Sequence, residues 1–212
     1  MRVALKGTIR VVPTPDDIAT FVEDGPPPGR TPWVVEPQAR SIMIAEPDPS
    51  WPESFAQVDE RIRVALGARV LDIVHIGSTS VPGLPAKPII DIDLIVVDPS
   101  NESRWLPALV AAGFVLTVRE PWWHEHRLLK YSSPEAQVHV FGPNAPEPWK
   151  HRIFRDHLRR DAADRELYAI AKVAASRNAN ERAETMMEYN LRKQDVIRDI
   201  YSRAFRAAGF LV

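Results

Sequence analysis

Cysteine is missing altogether from the 212-residue chain. That one absence removes disulfides, thiolate nucleophiles, iron–sulfur clusters and cysteine-ligated zinc. It fits a reducing compartment, and a cytoplasmic location is expected. An excess of either charge is missing too: 27 basic residues stand against 28 acidic ones, for a net charge of −1. Binding to nucleic acid through bulk electrostatics is therefore not expected, and only a local basic patch is left to do it. Nor is there a long hydrophobic run at the start of the chain. After Arg2, residues Lys6, Thr8 and Arg10 break up the apolar stretch, so no signal peptide, membrane span or membrane partner is expected. A Walker A motif, a dinucleotide fingerprint and a Gly-x-Ser-x-Gly elbow are also absent. Their absence sets aside those nucleotide-binding designs, and Ser/His/Asp hydrolysis through Ser78, His75 and Asp91.

Proline is what the chain has in plenty, with 20 residues, nearly twice a usual share of about 5%. Seven lie in the first 40 residues, including Pro26-Pro27-Pro28, where fixed φ and a missing donor require extended or turning backbone. Residues 1–40 read as a proline-rich appendage, with a strand over Val3–Val12 and a short helical turn over Asp16–Val22 after Thr14. Residues 41–212 read as one domain, and 45% hydrophobic content is enough for a sizeable core. Ser50, Pro52 and Glu53 predict a capped helix start, with Phe55, Val58, Ile62, Ala65 and Leu66 at helical spacing up to Gly67. Strands are expected at Val70–Ile76, Ile89–Val97, Phe114–Val118, Arg127–Tyr131 and Ala136–Phe141, the last two paired across a tight turn. A helix is expected at Ser103–Ala112. Beyond Pro148 the pattern is helical, with breaks near Asp161 and Asn178–Asn180 and a core stripe from Met186 through Met187 and Leu191 to Phe205. The fold class is α+β, a mixed sheet flanked by helices with a helical C-terminal region.

The chemistry concentrates in His75-Ile76-Gly77-Ser78 and, after a gap of 12 residues, Asp91-Ile92-Asp93-Leu94. Carboxylates at i and i+2 on a strand share a face. A strand otherwise apolar has no structural use for two adjacent anions. Oxygen ligands so placed suit Mg²⁺, which usually brings nucleotide phosphates with it. A glycine directly after a strand lets the backbone approach a phosphate. The stretch HIGSTSVPGLPAKPIIDIDL resembles the GrpB family, within the nucleotidyltransferase superfamily of DNA polymerase β-like fold. The resemblance runs from about Ile44 to Ile200 and includes WWHEHRLL, VHVF, IFRDHLR and the pair Tyr189/Lys193.

The resemblance implies that Gly77, Ser78 and Thr79 contact the triphosphate of ATP or another NTP, while Asp91 and Asp93 hold Mg²⁺. It implies in-line transfer of a nucleotidyl group to a small-molecule acceptor. It further implies phosphate or nucleotide contacts from His126, Arg127, Tyr189 and Lys193. Lys87, on the loop just before the metal strand, reads either as a point charge on a phosphate or as a solvated loop lysine. The superfamily usually adds a third carboxylate on a later strand, and here no aspartate stands there. Either His139 substitutes as a catalytic residue, or Glu135 reaches in, or the third ligand is absent. Two other functions follow from the same resemblance. One is a non-catalytic nucleotide- or CoA-binding accessory module, since GrpB-like domains occur fused to dephospho-CoA kinase. The other is an ATP-dependent ligase that activates a carboxylate in the same pocket. His124 and His126 form a His-x-His pair with no third ligand spaced to complete a zinc site. The basic run Lys150–Arg160 is read as a solvated helix face, or as an electrostatic lip over a polyanion.

Overall fold

Where β-branched residues are densest the chain extends into strands β1 (Val70–Ile76) and β2 (Ile90–Val96). Strands β3 (Val115–Glu120), β4 (His126–Ser132) and β5 (Glu135–Phe141) follow. The computed structural model describes residues 12–22, 25–38 and 41–211. The strand expected over Val3–Val12 falls outside them, apart from Val12 at its end. The five strands form one sheet in the order β1-β2-β5-β4-β3. Neighbours β2 and β5 are parallel, and the other three pairs are antiparallel. This is a mixed α/β architecture, a central sheet flanked by helices.

Alternation divides β2 between two layers. Ile90, Ile92 and Leu94 join Val138 and Val140 of β5 in the main core, beneath helices α2 (Trp51–Leu66) and α3 (Leu106–Ala111). Trp51, Val58, Ile62 and Leu66 form the buried stripe of α2, each aliphatic side chain contributing about 1.5–3 kcal/mol by burial. On the opposite face Asp91 lies beside Gln137, and Asp93 beside His139. That face is covered by the C-terminal helices α4 (Glu147–Arg160), α5 (Ala162–Glu181), α6 (Met186–Arg192) and α7 (Gln194–Ala207).

Several local expectations change. Ser50 adopts helical backbone angles, so its hydroxyl does not cap α2; the Asp48 carboxylate instead accepts from the Ser50 amide at 2.8 Å. The helix expected over Ser103–Ala112 is a 3-10 turn, Glu102–Arg104, followed by the shorter α3, because Trp105 leaves helical geometry at φ −137°. The break expected near Asn178–Asn180 falls later, where Ala183 turns at φ +51° and Thr185 caps α6 with Glu188. Met187 and Leu191 are exposed, so the core stripe there is carried by Tyr189.

Residues before 41 also contact the body of the fold. Helix α1 (Pro15–Ala19) is closed by a reciprocal cap between Thr14 and Asp17, and its Ile18 packs against Tyr201 and Phe205 of α7. Lys150 of α4, fully buried, donates to the Thr20 carbonyl at 2.7 Å and to Glu147 at 2.6 Å. Further on, the Arg119 amide donates to the Pro32 carbonyl, and the Val34 amide to that of Thr117, alongside β3.

Candidate functional site

The turn leaving β1 is built around Gly77, whose φ of +66° and ψ of −171° suit glycine alone. A Cβ there would lie 2.3 Å from Asp91 Oδ2, so the backbone of the turn is pressed directly against that carboxylate. One 3-10 turn, Ser78–Ser80, follows. The Ser80 hydroxyl closes it on the Gly77 carbonyl at 2.6 Å. Thr79 donates to the Ile89 carbonyl at 3.2 Å, and its hydroxyl lies 3.0 Å from His75 Nε2. The loop that continues to β2 is anchored by Val81 and Leu84, buried against Leu158, Tyr168 and Ile200. Lys172 donates to the Pro85 carbonyl, and Ala86 pairs with Ala45 through two backbone hydrogen bonds.

Above this turn lies a cavity of about 310 Å³ between the sheet and the C-terminal helices. Gly77, Ser78, Thr79, Lys87, Asp91, His139, Tyr189 and Lys193 all line it. His151, Arg155, Tyr168 and Lys172 line it as well. Burial pushes the Asp91 carboxyl up, opposed by the charges of Lys87, Lys193, His151 and Lys172. Three lysines thus surround a single carboxylate. Burial and the neighbouring Lys87 hold Lys193 down to about 7. Lys172 is held well below the ordinary lysine range by burial, Lys193 and Lys87. Tyr189 sits among them, with Lys193 4.3 Å and Lys87 5.2 Å from its ring centroid. Its hydroxyl is buried and has no hydrogen-bond partner among the described residues. A crowded set of cations and an unpartnered hydroxyl make a receptor for an anion.

Asp93 is fully buried beside this cavity. Both its oxygens receive His151 Nδ1, at 3.0 and 3.1 Å. Burial works against protonating His151, but the Asp93 carboxylate outweighs it and holds the imidazole above its ordinary value. His139 reaches the cavity from β5, and its Nδ1 meets His126 Nε2 at 3.1 Å.

Three predicted residues do not line the cavity: Asp93, buried beside it, and Arg127 and His126, which stand away from it. Arg127 points elsewhere: its guanidinium donates to Glu102 at 2.6 Å and to the Glu125 and His126 carbonyls. Its neighbour on a strand must face the opposite way, so His126 sits on the cavity's side of the sheet. It stays behind His139, held by Glu120 at 2.7 Å. His126 is thus not among the cavity-lining residues. Among the described residues, the one trio of ligand atoms within 4.8 Å of one another is His157, Asp161 and Asp164. Asp91, Asp93 and His139 do not form such a trio, and neither do His124 and His126 with a third residue. In the former, Asp164 is already engaged by His157 and by Arg203. The basic run of α4 divides between the two readings: His151 and Arg155 line the cavity, while Arg159 and Arg160 are exposed. Arg152 pairs with Asp72 at 2.6 Å, Arg155 donates to the His75 carbonyl, and Arg159 to that of Ser80, fastening α4 to β1 and the turn.

Tyr168 and Lys172 are not among the expected site residues, and His151 and Arg155 are expected only as members of the basic run. Their signal is helical spacing: His151 and Arg155 are i, i+4 on α4, and Tyr168 and Lys172 are i, i+4 on α5, each pair sharing a face.

Comparison with known proteins agrees with this architecture. The family model for GrpB protein matches residues 41–203. A UPF0157 protein of Streptomyces coelicolor is 45% identical over 168 residues, covering 79% of this chain and 87% of the relative. A dephospho-CoA kinase of Mycolicibacterium paratuberculosis is 27% identical over 194 residues, 77% of this chain and 46% of that protein. The crystal structure of conserved protein GrpB from Enterococcus faecalis superposes with a TM-score of 0.67 at 26% identity, covering 78% of this chain and 99% of that one. Among the described residues no helix is long and apolar enough to cross a membrane. With a family match over most of its length, a relative at 45% identity and a shared fold, the chain belongs to the GrpB family.

Proposed function

We propose that the chain is a Mg²⁺-dependent nucleotidyltransferase of the DNA polymerase β-like superfamily, moving a nucleotidyl group from ATP or another NTP to a small-molecule acceptor. One observation carries the reading: the glycine turn presses against Asp91 while Lys87, Lys172 and Lys193 converge on the same cavity. Backbone amides of a glycine turn and ammonium groups are the donors a triphosphate requires. By ligand type the donor set suits a divalent cation: Asp91 and Asp93 share one face of β2 and offer oxygen alone. Both Asp93 oxygens are held by His151, which an ion at that carboxylate would displace. Asp91 and Asp93 would hold the ion, which when bound supplies charge neutralisation on the phosphates. The protein's own residues do the rest. The Ser78–Ser80 turn orients the phosphates, Lys87 and Lys193 bind them as point charges, and the Tyr189 hydroxyl donates into the cavity. A cytoplasmic setting, where nucleoside triphosphates are plentiful, suits this activity.

A second reading, a nucleotide- or CoA-binding accessory module, is favoured by one feature: both Asp93 oxygens are engaged by His151. The match to about half of a dephospho-CoA kinase supports it too. Calorimetry with ATP and with CoA, each with and without Mg²⁺, followed by product analysis over hydroxyl, amine and carboxylate acceptors, separates the two. The transferase reading expects Mg²⁺-dependent ATP binding, weakened at least about tenfold in Asp91→Asn, and release of pyrophosphate with an acceptor. Binding without product across the panel overturns it in favour of the module.

A further inference from the structure

Behind the cavity three side chains stand in a hydrogen-bonded file. Glu120 closes β3 and is paired in register with His126, which opens β4. Glu120 Oε2 lies 2.7 Å from His126 Nδ1. His126 Nε2 in turn lies 3.1 Å from His139 Nδ1, and His139 lines the cavity. The two imidazoles are stacked with centroids 5.3 Å apart, and His126 also packs on Phe141 and Trp123. The His126 ring has both nitrogens engaged and little freedom to turn.

A hydrogen bond between two neutral imidazoles needs an N–H on one side and a lone pair on the other, so the file has one of two directions. Burial holds both rings down to about 3, so both are neutral at pH 7. Glu120 sets the direction. Burial pushes its carboxyl up, but a quarter of the side chain remains exposed and hydrated, which keeps it ionised at pH 7, and an ionised carboxylate only accepts. His126 must then carry its proton on Nδ1 and present a lone pair at Nε2. His139 must donate from Nδ1, which leaves its Nε2 as the nitrogen with a free lone pair.

We propose that Glu120 and His126 are positioning residues that lock His139 in the Nδ1–H tautomer, so that His139 Nε2 presents a hydrogen-bond acceptor to the occupant of the cavity.

The test is long-range ¹H–¹⁵N NMR of the histidine rings in the full chain at pH 7. Nδ1–H with an unprotonated Nε2 is expected at both His126 and His139. Glu120→Leu, with its fold checked by the amide spectrum, is expected to return both rings to tautomer mixtures. An Nε2–H at His139 in the wild-type chain overturns the proposal, whether or not the variant folds. So does an unchanged tautomer pattern in folded Glu120→Leu. The predicted tautomers without nucleotidyl product from any NTP would uphold the lock and overturn the transferase reading alone.

Discussion

At the scale of single residues, Gly77 is the position where backbone and chemistry meet. Gly77→Ala adds a Cβ 2.3 Å from Asp91 Oδ2 and 2.9 Å from Asp91 Cβ, in a region of backbone space closed to L-residues. Gly83 also has a positive φ, but nothing lies within 4 Å of a Cβ there. Gly83→Ala should cost about 1 kcal/mol from strain alone, with ligand binding kept. Gly77→Ala should lose more stability, by about 1–3 kcal/mol for the backbone alone, and abolish nucleotide binding. Urea unfolding and calorimetry on the two variants check this, and equal effects would mean that the turn is not held against Asp91. The sequence made Gly77, Ser78, Asp91 and Lys87 legible because glycine and paired acids are costly where they have no use. Tyr168, Lys172 and His151 were hidden for a physical reason. Each is an ordinary helix residue, and only packing of helices more than 50 residues away carries it to β2. Arg127 reads as an anion clamp from its type, yet a buried guanidinium must find its partner locally, and Glu102 is that partner.

Among the elements, α1 and α4 show how a buried cation ties a segment down. Lys150 is fully buried and Glu147 nearly so, and the ammonium also lies 5.1 Å from the Phe21 ring centroid. Lys150→Met removes the Thr20 anchor and leaves the Glu147 carboxylate uncompensated, which typically costs about 3–5 kcal/mol. Urea denaturation should show that loss, and the double variant Glu147→Gln/Lys150→Met should recover part of it by removing the stranded charge. A loss no larger than for a surface lysine would contradict the burial of this pair. Element identity was largely readable. Strand β1 matches its expected bounds, and β2 differs by one residue at each end, because alternation and β-branching are local signals. The ends of α2 match as well, with Ser50 before it and Gly67 after it, though the Ser50 hydroxyl makes no cap; the start of α3 was not readable, since Trp105 turned its indole to the Pro99 carbonyl at 3.2 Å. Such choices depend on which neighbour folding brings near.

For the molecule as a whole, acid sensitivity follows from imidazoles kept neutral inside it. Burial, with Arg159 and Arg155 adding to it, lowers His75 from 6.5 to about 4. Between those values the unfolded chain binds a proton that the folded chain refuses. Stability is therefore lost as pH falls from 6.5 toward 4, at up to about 1.4 kcal/mol per pH unit from this one group. His75→Gln should reduce the pH slope of the urea midpoint over that window, with His126 and His139, held down to about 3, keeping the remainder, and an unchanged slope would show that His75 contributes nothing to it. The sheet's overall order was not legible, because β2 and β5 pair across an intervening α3, β3 and β4. No local pattern announces a pairing at that separation. The backbone hydrogen bonds that residues 32–34 make beside β3 have a consequence for the behaviour of many copies together. An outermost strand with bare amides and carbonyls is a template on which another chain can add. Here the chain's own leading segment occupies that rim, so its detachment would turn a folded monomer into a seed for edge-to-edge aggregation.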